Sequence, residues 1–134
     1  MKHLLLAIPL AVVAAIMLVP HAGCTDPNEE VGWQLPVLKK IVASLADKPA
    51  GRYPATVVAV EICPPRLAQI YADGKGAYVF EFFSETTIDR NPAYAYVPPG
   101  TPDPDAAAYE LCCKAATTYF SPCKEPGWYR AYGQ

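Results

Sequence analysis

Histidine is nearly missing from this 134-residue chain: the two present, His3 and His21, both precede residue 24. Beyond that point no imidazole is on hand as general base, metal ligand or pH switch near neutrality. The two methionines, Met1 and Met17, fall in the same stretch. Serine is scarce too. Ser44, Ser84 and Ser121 are the only candidates for a serine nucleophile, and none sits in a nucleophile-elbow setting. No Cys-x-x-Cys occurs, which removes a thioredoxin-like dithiol and the usual paired zinc ligands. Glycine forms no phosphate-cradling loop; Gly74 and Gly76 belong to a turn. The formal net charge is −2 and the densest basic pair is Lys39-Lys40, so nucleic acid is a disfavoured partner. No cofactor is expected.

What is present begins with the first 23 residues. Met1-Lys2-His3 opens them, an apolar run extends from Leu4 to Val19, and Pro20-His21-Ala22-Gly23 leads to Cys24. A short basic start, an apolar core and a small-residue exit make an export leader. The Ala22-Gly23-Cys24 exit resembles the end of a bacterial lipoprotein signal peptide, with His21 standing where an aliphatic residue is usual. That resemblance implies cleavage before Cys24 and a lipid on the new N-terminal cysteine. An ordinary signal-peptidase cut would place Pro20 or His21 at the minus-three position, where a small residue is favoured. As an uncleaved anchor the run is short of the roughly 20 residues of a spanning helix, and Pro9 interrupts it. Each reading puts the rest of the chain outside the cytoplasm. The expected destination is the cell envelope, on its periplasmic or surface face, or otherwise the medium.

Cysteines stand at 24, 63, 112, 113 and 123. An odd number in an exported chain needs an explanation, and lipidation of Cys24 supplies one. Four are then left for two disulfides in an oxidising compartment. Pairing the adjacent Cys112 and Cys113 would strain a small ring. The expected connectivity therefore joins Cys63 to one of them and Cys123 to the other. In the chain-entropy description each closure is worth about 3–4 kcal/mol.

The organisation reads as leader (1–23), tether (24–32) and one domain (33–134), with mature charge −3 once Lys2 is removed. Pro36 opens a helix to residue 47, with Val37, Leu38, Ile41, Val42 and Leu45 on one stripe. Thr56 to Cys63 is β-branched and almost continuously apolar, the pattern of a strand buried on both faces. Strands are expected again over 67–72 and 77–83, joined by the turn Asp73-Gly74-Lys75-Gly76. Five prolines fall between Asn91 and Pro104, predicting an extended, solvent-facing segment with a short edge strand over 93–97. Asp103 or Asp105 caps a second, largely buried helix over 106–120, and the tail adds a final short strand. The expected fold is α+β: a three- or four-stranded, mainly antiparallel sheet with an N-terminal and a C-terminal helix, stabilised by disulfides.

Aromatic residues are the remaining functional signal. Tyr94 and Tyr96 in the proline-rich segment, with Trp128, Tyr129 and Tyr132 in the tail, are candidates for a partner-binding surface. The expected function is non-catalytic: an exported, lipid-anchored module that binds or assembles with a protein or cell-wall partner, and touches the membrane through its lipid. The first alternative is a small envelope glycan hydrolase using Glu61 with Glu81 or Glu85, because two carboxylates about 5–9 Å apart cleave glycosides. The second is a soluble secreted effector or inhibitor.

Overall fold

The structure is a computed structural model that describes residues 35–46, 48–84 and 90–133. The expected leader, Cys24, the tether and Glu85 lie outside the described residues. Among the described residues two helices and a six-stranded sheet make an α+β fold. In chain order they are α1 (Leu35–Ser44), β1 (Gly51–Pro54), β2 (Leu67–Ala72), β3 (Tyr78–Phe82), β4 (Pro92–Tyr96), α2 (Pro104–Lys114), β5 (Thr118–Pro122) and β6 (Trp128–Tyr132). Every neighbouring pair is antiparallel, and the spatial order is β1-β2-β3-β4-β6-β5. The chain leaves the sheet after β4, runs through α2, and returns as a β5–β6 hairpin that lays β6 against β4.

Alternation along the strands gives the sheet two faces with separate cores. On one face Ile70, Phe80 and Phe82 meet Tyr94, Trp128 and the α1 stripe Leu38, Ile41 and Leu45. The opposite face is richer in small side chains: Ala77, Ala93, Ala95 and Ala131, with Val79 and Tyr129, pack with Ala108, Leu111 and Cys112 of α2 and with Ala115 just past its end. Short side chains let α2 approach the sheet closely, whereas α1 sits over a layer of aromatic rings. The Tyr78 hydroxyl, buried beneath α1, donates to the Leu45 carbonyl just past the helix end.

The first helix runs as the apolar stripe dictates and stops a turn early. Ser44 Oγ bonds back to the Ile41 carbonyl, a local alternative to continuing the helix. The β2–β3 turn forms as expected: Asp73 Oδ1 accepts from the amides of Lys75 and Ala77 at 2.7 and 3.0 Å. Asp103 caps α2 with Pro104 in its first turn.

Four expectations are corrected. Residues 56–63 are not a strand; Ala55–Val57 form a 3₁₀ turn closed by Val58 N to Ala55 O, and a further turn follows, closed by Ile62 N to Ala59 O. Pro54 ends the β1 ladder, and only Val58 of the run is fully buried while Val60 is 85% exposed. A β-branched run without a neighbouring strand to pair with does not make one. The second helix ends at Lys114 rather than 120. The amides of Ala116 and Thr117 bond back to Cys113 O and Cys112 O, closing it with Ala116 in the left-handed region at φ 59. Thr-Tyr-Phe then begins β5, which, with β1, raises the sheet to six strands. The 92–96 strand is not an edge: β3 and β6 flank it.

The fourth correction concerns the cysteines. No disulfide joins Cys63, Cys112, Cys113 or Cys123. Cys63 packs against the α1-side core and Cys112 is buried in the α2-side core, so the sheet itself separates them. Cys113, one residue on and about 100° round the helix, faces solvent. Burial pushes the thiol pKa values of Cys63 and Cys112 upward, which holds both in the protonated, unreactive form.

The two sheet edges are both blunted. At one, β1 is four residues long and ends in Pro54; at the other, β5 carries a bulge between Tyr119 and Ser121 and ends in Pro122. Short strands, bulges and proline discourage pairing with another chain.

Candidate functional site

Beyond β4 the chain enters Val97-Pro98-Pro99-Gly100-Thr101, and the β5–β6 loop Cys123–Gly127 rises beside it. Between them lies a cleft of about 370 Å³, lined by Tyr96, Pro98, Pro99, Pro126 and Trp128, with Lys39 and Glu125 at the mouth. Tyr96 and Trp128 are register partners across β4 and β6, and their rings lie 5.0 Å apart at 47°. Trp128 is seated from below by Phe80, stacked at 5.9 Å and 24°. The cleft thus rests on the aromatic core.

Backbone hydrogen bonds fix the walls. Val97 N donates to Gly127 O at 2.8 Å, tying the proline-rich loop to the hairpin loop. Trp128 N bonds Glu125 O and Cys123 N bonds Trp128 O, closing the hairpin turn. Gly127 adopts φ +86, and a Cβ there would lie 2.8 Å from the Val97 carbonyl oxygen. Glycine is required at this position both for its left-handed backbone and for the close approach. Thr101 donates from its amide and its hydroxyl to Pro98 O, which folds the proline-rich loop back on itself. At the mouth Lys39 Nζ of α1 meets Glu125 Oε2 at 2.8 Å with both side chains about half exposed. Such an exposed pair contributes little stability. It does join the first helix to the hairpin loop.

A smaller cleft of about 270 Å³ shares the Val97, Pro98 and Thr101 wall and opens on the α2 side, where Asp73, Lys75, Glu110 and Lys114 line it. Its charges are mixed in sign.

The structure divides the expected aromatic surface. Tyr96 lines the cleft and Tyr132 is half-buried, but Tyr94, Trp128 and Tyr129 are 5%, 2% and 3% exposed. Tyr94 is a core ring, packed edge-on against Phe82 at 6.0 Å. Tyr132 lies at the far end of β6 from the cleft, between Phe120 and the guanidinium of Arg130. Tyr129 faces α2, and its hydroxyl donates to Asp105 Oδ1 at 3.1 Å. Burial first, and then the neighbouring Asp105 carboxylate, push the Tyr129 phenol up to about 12. It is a structural hydrogen-bond donor throughout the physiological range.

The carboxylates are not brought together. Glu61 is exposed on a turn in the segment that covers the α1 face. Glu81 alternates with Phe80 and Phe82 and therefore points to the α2 face, where Gln69 Nε2 donates to it at 2.6 Å. The sheet lies between them.

Lys39, Glu125 and Gly127 escaped the sequence reading. Lys39 and Glu125 are 86 residues apart, and nothing in either local pattern links them. The Pro126-Gly127 pair is a turn signal in plain view, but its role depends on the β4–β6 pairing.

No family model, no curated protein and no solved structure matches this chain.

Proposed function

We propose that this protein is an exported, lipid-anchored envelope module that binds a protein or cell-wall partner through the cleft between the 97–104 loop and the 123–127 hairpin. The observation that carries the reading is the cleft itself: a concave, mainly apolar site on a rigid aromatic floor, with Lys39 and Glu125 at its mouth. Concave apolar sites with a few fixed polar groups are where ligands bind. Tyr96, with Trp128 at the cleft floor, replaces the broader aromatic surface, because Tyr94 and Tyr129 are committed to the core and Tyr132 lies at the far end of β6. The hydrolase alternative has less to rest on, since Glu61 and Glu81 lie on opposite sides of the sheet.

Two experiments test the reading. Intact mass of the membrane-extracted chain is expected to show a lipid-sized increment on Cys24; a soluble, unmodified chain in the medium would favour the secreted effector instead. A photo-crosslinking residue placed in producing cells at Pro99 or Pro126 is expected to trap a discrete adduct, while the same residue at Lys40 or Glu61 traps none. Equal labelling at all four positions would refute a role for the cleft.

A further inference from the structure

We infer that the cleft takes an extended, uncharged, proline-rich peptide segment of its partner, in the polyproline II conformation. This inference rests on the binding role proposed above and names the chemistry of the occupant.

The cleft carries no net charge. Lys39 and Glu125, the charged residues lining this cleft, neutralise each other across 2.8 Å. A slot without net charge complements an uncharged occupant and gives nothing to a phosphate, a uronate or a charged helix face.

Its walls are also poor in free hydrogen-bond donors. Pro98, Pro99, Pro104 and Pro126 have no amide N–H, and the amides of Val97, Thr101 and Trp128 are already spent on Gly127 O, Pro98 O and Glu125 O. The Gly100 and Gly127 amides are the backbone donors the two loops have left, too few for the donor ladder that an added β-strand needs. Two uncharged side-chain donors belong to residues that line the cleft, the Tyr96 hydroxyl and the Trp128 indole N–H. A proline-rich segment has the matching inventory. It presents carbonyl acceptors, lacks amide donors at each proline, and needs no internal or ladder hydrogen bonds to hold its shape. Its rings are rigid and apolar, so seating them beside two aromatic side chains costs little conformational entropy.

Strand addition is the usual competing mode of peptide capture. Both sheet edges are blunted by proline, shortness or a bulge, so strand addition elsewhere on the molecule is discouraged too.

The test uses the full chain in detergent, carrying Trp33→Phe so that the one ¹⁵N-indole signal belongs to Trp128, titrated with an acetylated, amidated octaproline. The Trp128 indole resonance is expected to shift saturably, and an octamer of alternating Gly and Ser is expected to leave it in place. Tyr96→Phe removes one donor and is expected to weaken octaproline about fivefold, the effect of one hydrogen bond. Pro99→Ala, which removes a wall ring without touching either donor, is expected to weaken it as well. No saturable shift, or affinities unchanged in both variants, would overturn the proline-rich occupant. If the crosslinks at Pro99 and Pro126 persist in that case, the binding role stands and only the occupant is wrong; if they are absent as well, both readings fail.

Discussion

Replacing Gly127 by alanine puts the architecture of the cleft to a quantitative test, because a near-identical glycine provides the control. Gly127 and Gly100 both sit at φ +86, in the left-handed region where a Cβ costs about 1–2 kcal/mol. Around Gly100 nothing lies within 4 Å of the added methyl, so Gly100→Ala carries that backbone cost alone. At Gly127 the methyl meets the Val97 carbonyl oxygen at 2.8 Å, a contact with backbone that no side-chain rotation relieves. Separating the two loops enough to admit it lengthens the 2.8 Å bond from Val97 N to Gly127 O, worth about 1 kcal/mol. Gly127→Ala is therefore expected to cost about 2–3 kcal/mol, which for a domain of this size lowers Tm by roughly 10–20 °C. Gly100→Ala is expected to cost about half of that. Thermal unfolding followed by circular dichroism measures both, and the Trp128 indole resonance reports whether the cleft floor moves. Equal losses in the two variants would show that the hairpin loop does not approach the proline-rich loop as described, and the site would lose its walls.

Three further outcomes follow from the fold. Ala116 closes α2 at φ 59, so Ala116→Gly is expected to stabilise by about 1 kcal/mol, read as a Tm increase of several degrees; no increase would place Ala116 outside the left-handed region. The Tyr129 phenol, pushed up to about 12, keeps its proton in the folded state after the unfolded chain has lost it, so its contribution to stability is whole below pH 10 and is lost between pH 10 and 12. Asp105→Asn removes the facing negative charge and is expected to move that slow tyrosinate component, followed by ultraviolet absorbance, to lower pH; an unchanged titration would contradict the Tyr129–Asp105 contact. Cys113 is exposed and Cys112 buried, so a thiol reagent is expected to modify Cys113 in the folded protein and Cys112 only on unfolding, with equal rates contradicting the placement of α2.

Local patterns carried the fold wherever they were strong and self-contained. The α1 stripe, the Asp73–Gly76 turn, the alternating β3 strand and the Asp103-Pro104 start of α2 can each be read from a few adjacent residues, and each is where the pattern puts it. Residues 56–63 show the limit of such reading. Their β-branched composition suits a strand, but strand formation needs a neighbour, and the place beside β2 is taken by Gly51–Pro54. The end of α2 was hidden for a related reason. Ala115-Ala116 favours helix by composition, and the stop came from a left-handed alanine rather than the glycine that usually marks one. Tyr94 was misread because a proline-rich flank suggested exposure, whereas β4 lies in the middle of the sheet and its side chain enters the core. The expected disulfides failed on topology: Cys63 and Cys112 belong to opposite faces, which no spacing reveals. Of the site, Tyr96 and the proline-rich loop were visible in the sequence. Lys39 and Glu125 meet only through the tertiary fold.

The central claim is that the cleft is occupied in the envelope. Hydrogen exchange of the full chain, compared in intact envelopes and after detergent extraction, tests it most directly. The account predicts slower exchange in the envelope at the amides of Val97, Gly100, Thr101, Lys124, Glu125, Gly127 and Trp128, with the β5 edge unchanged. Protection confined to Thr118–Pro122, or no difference between the two preparations in either loop, would contradict it.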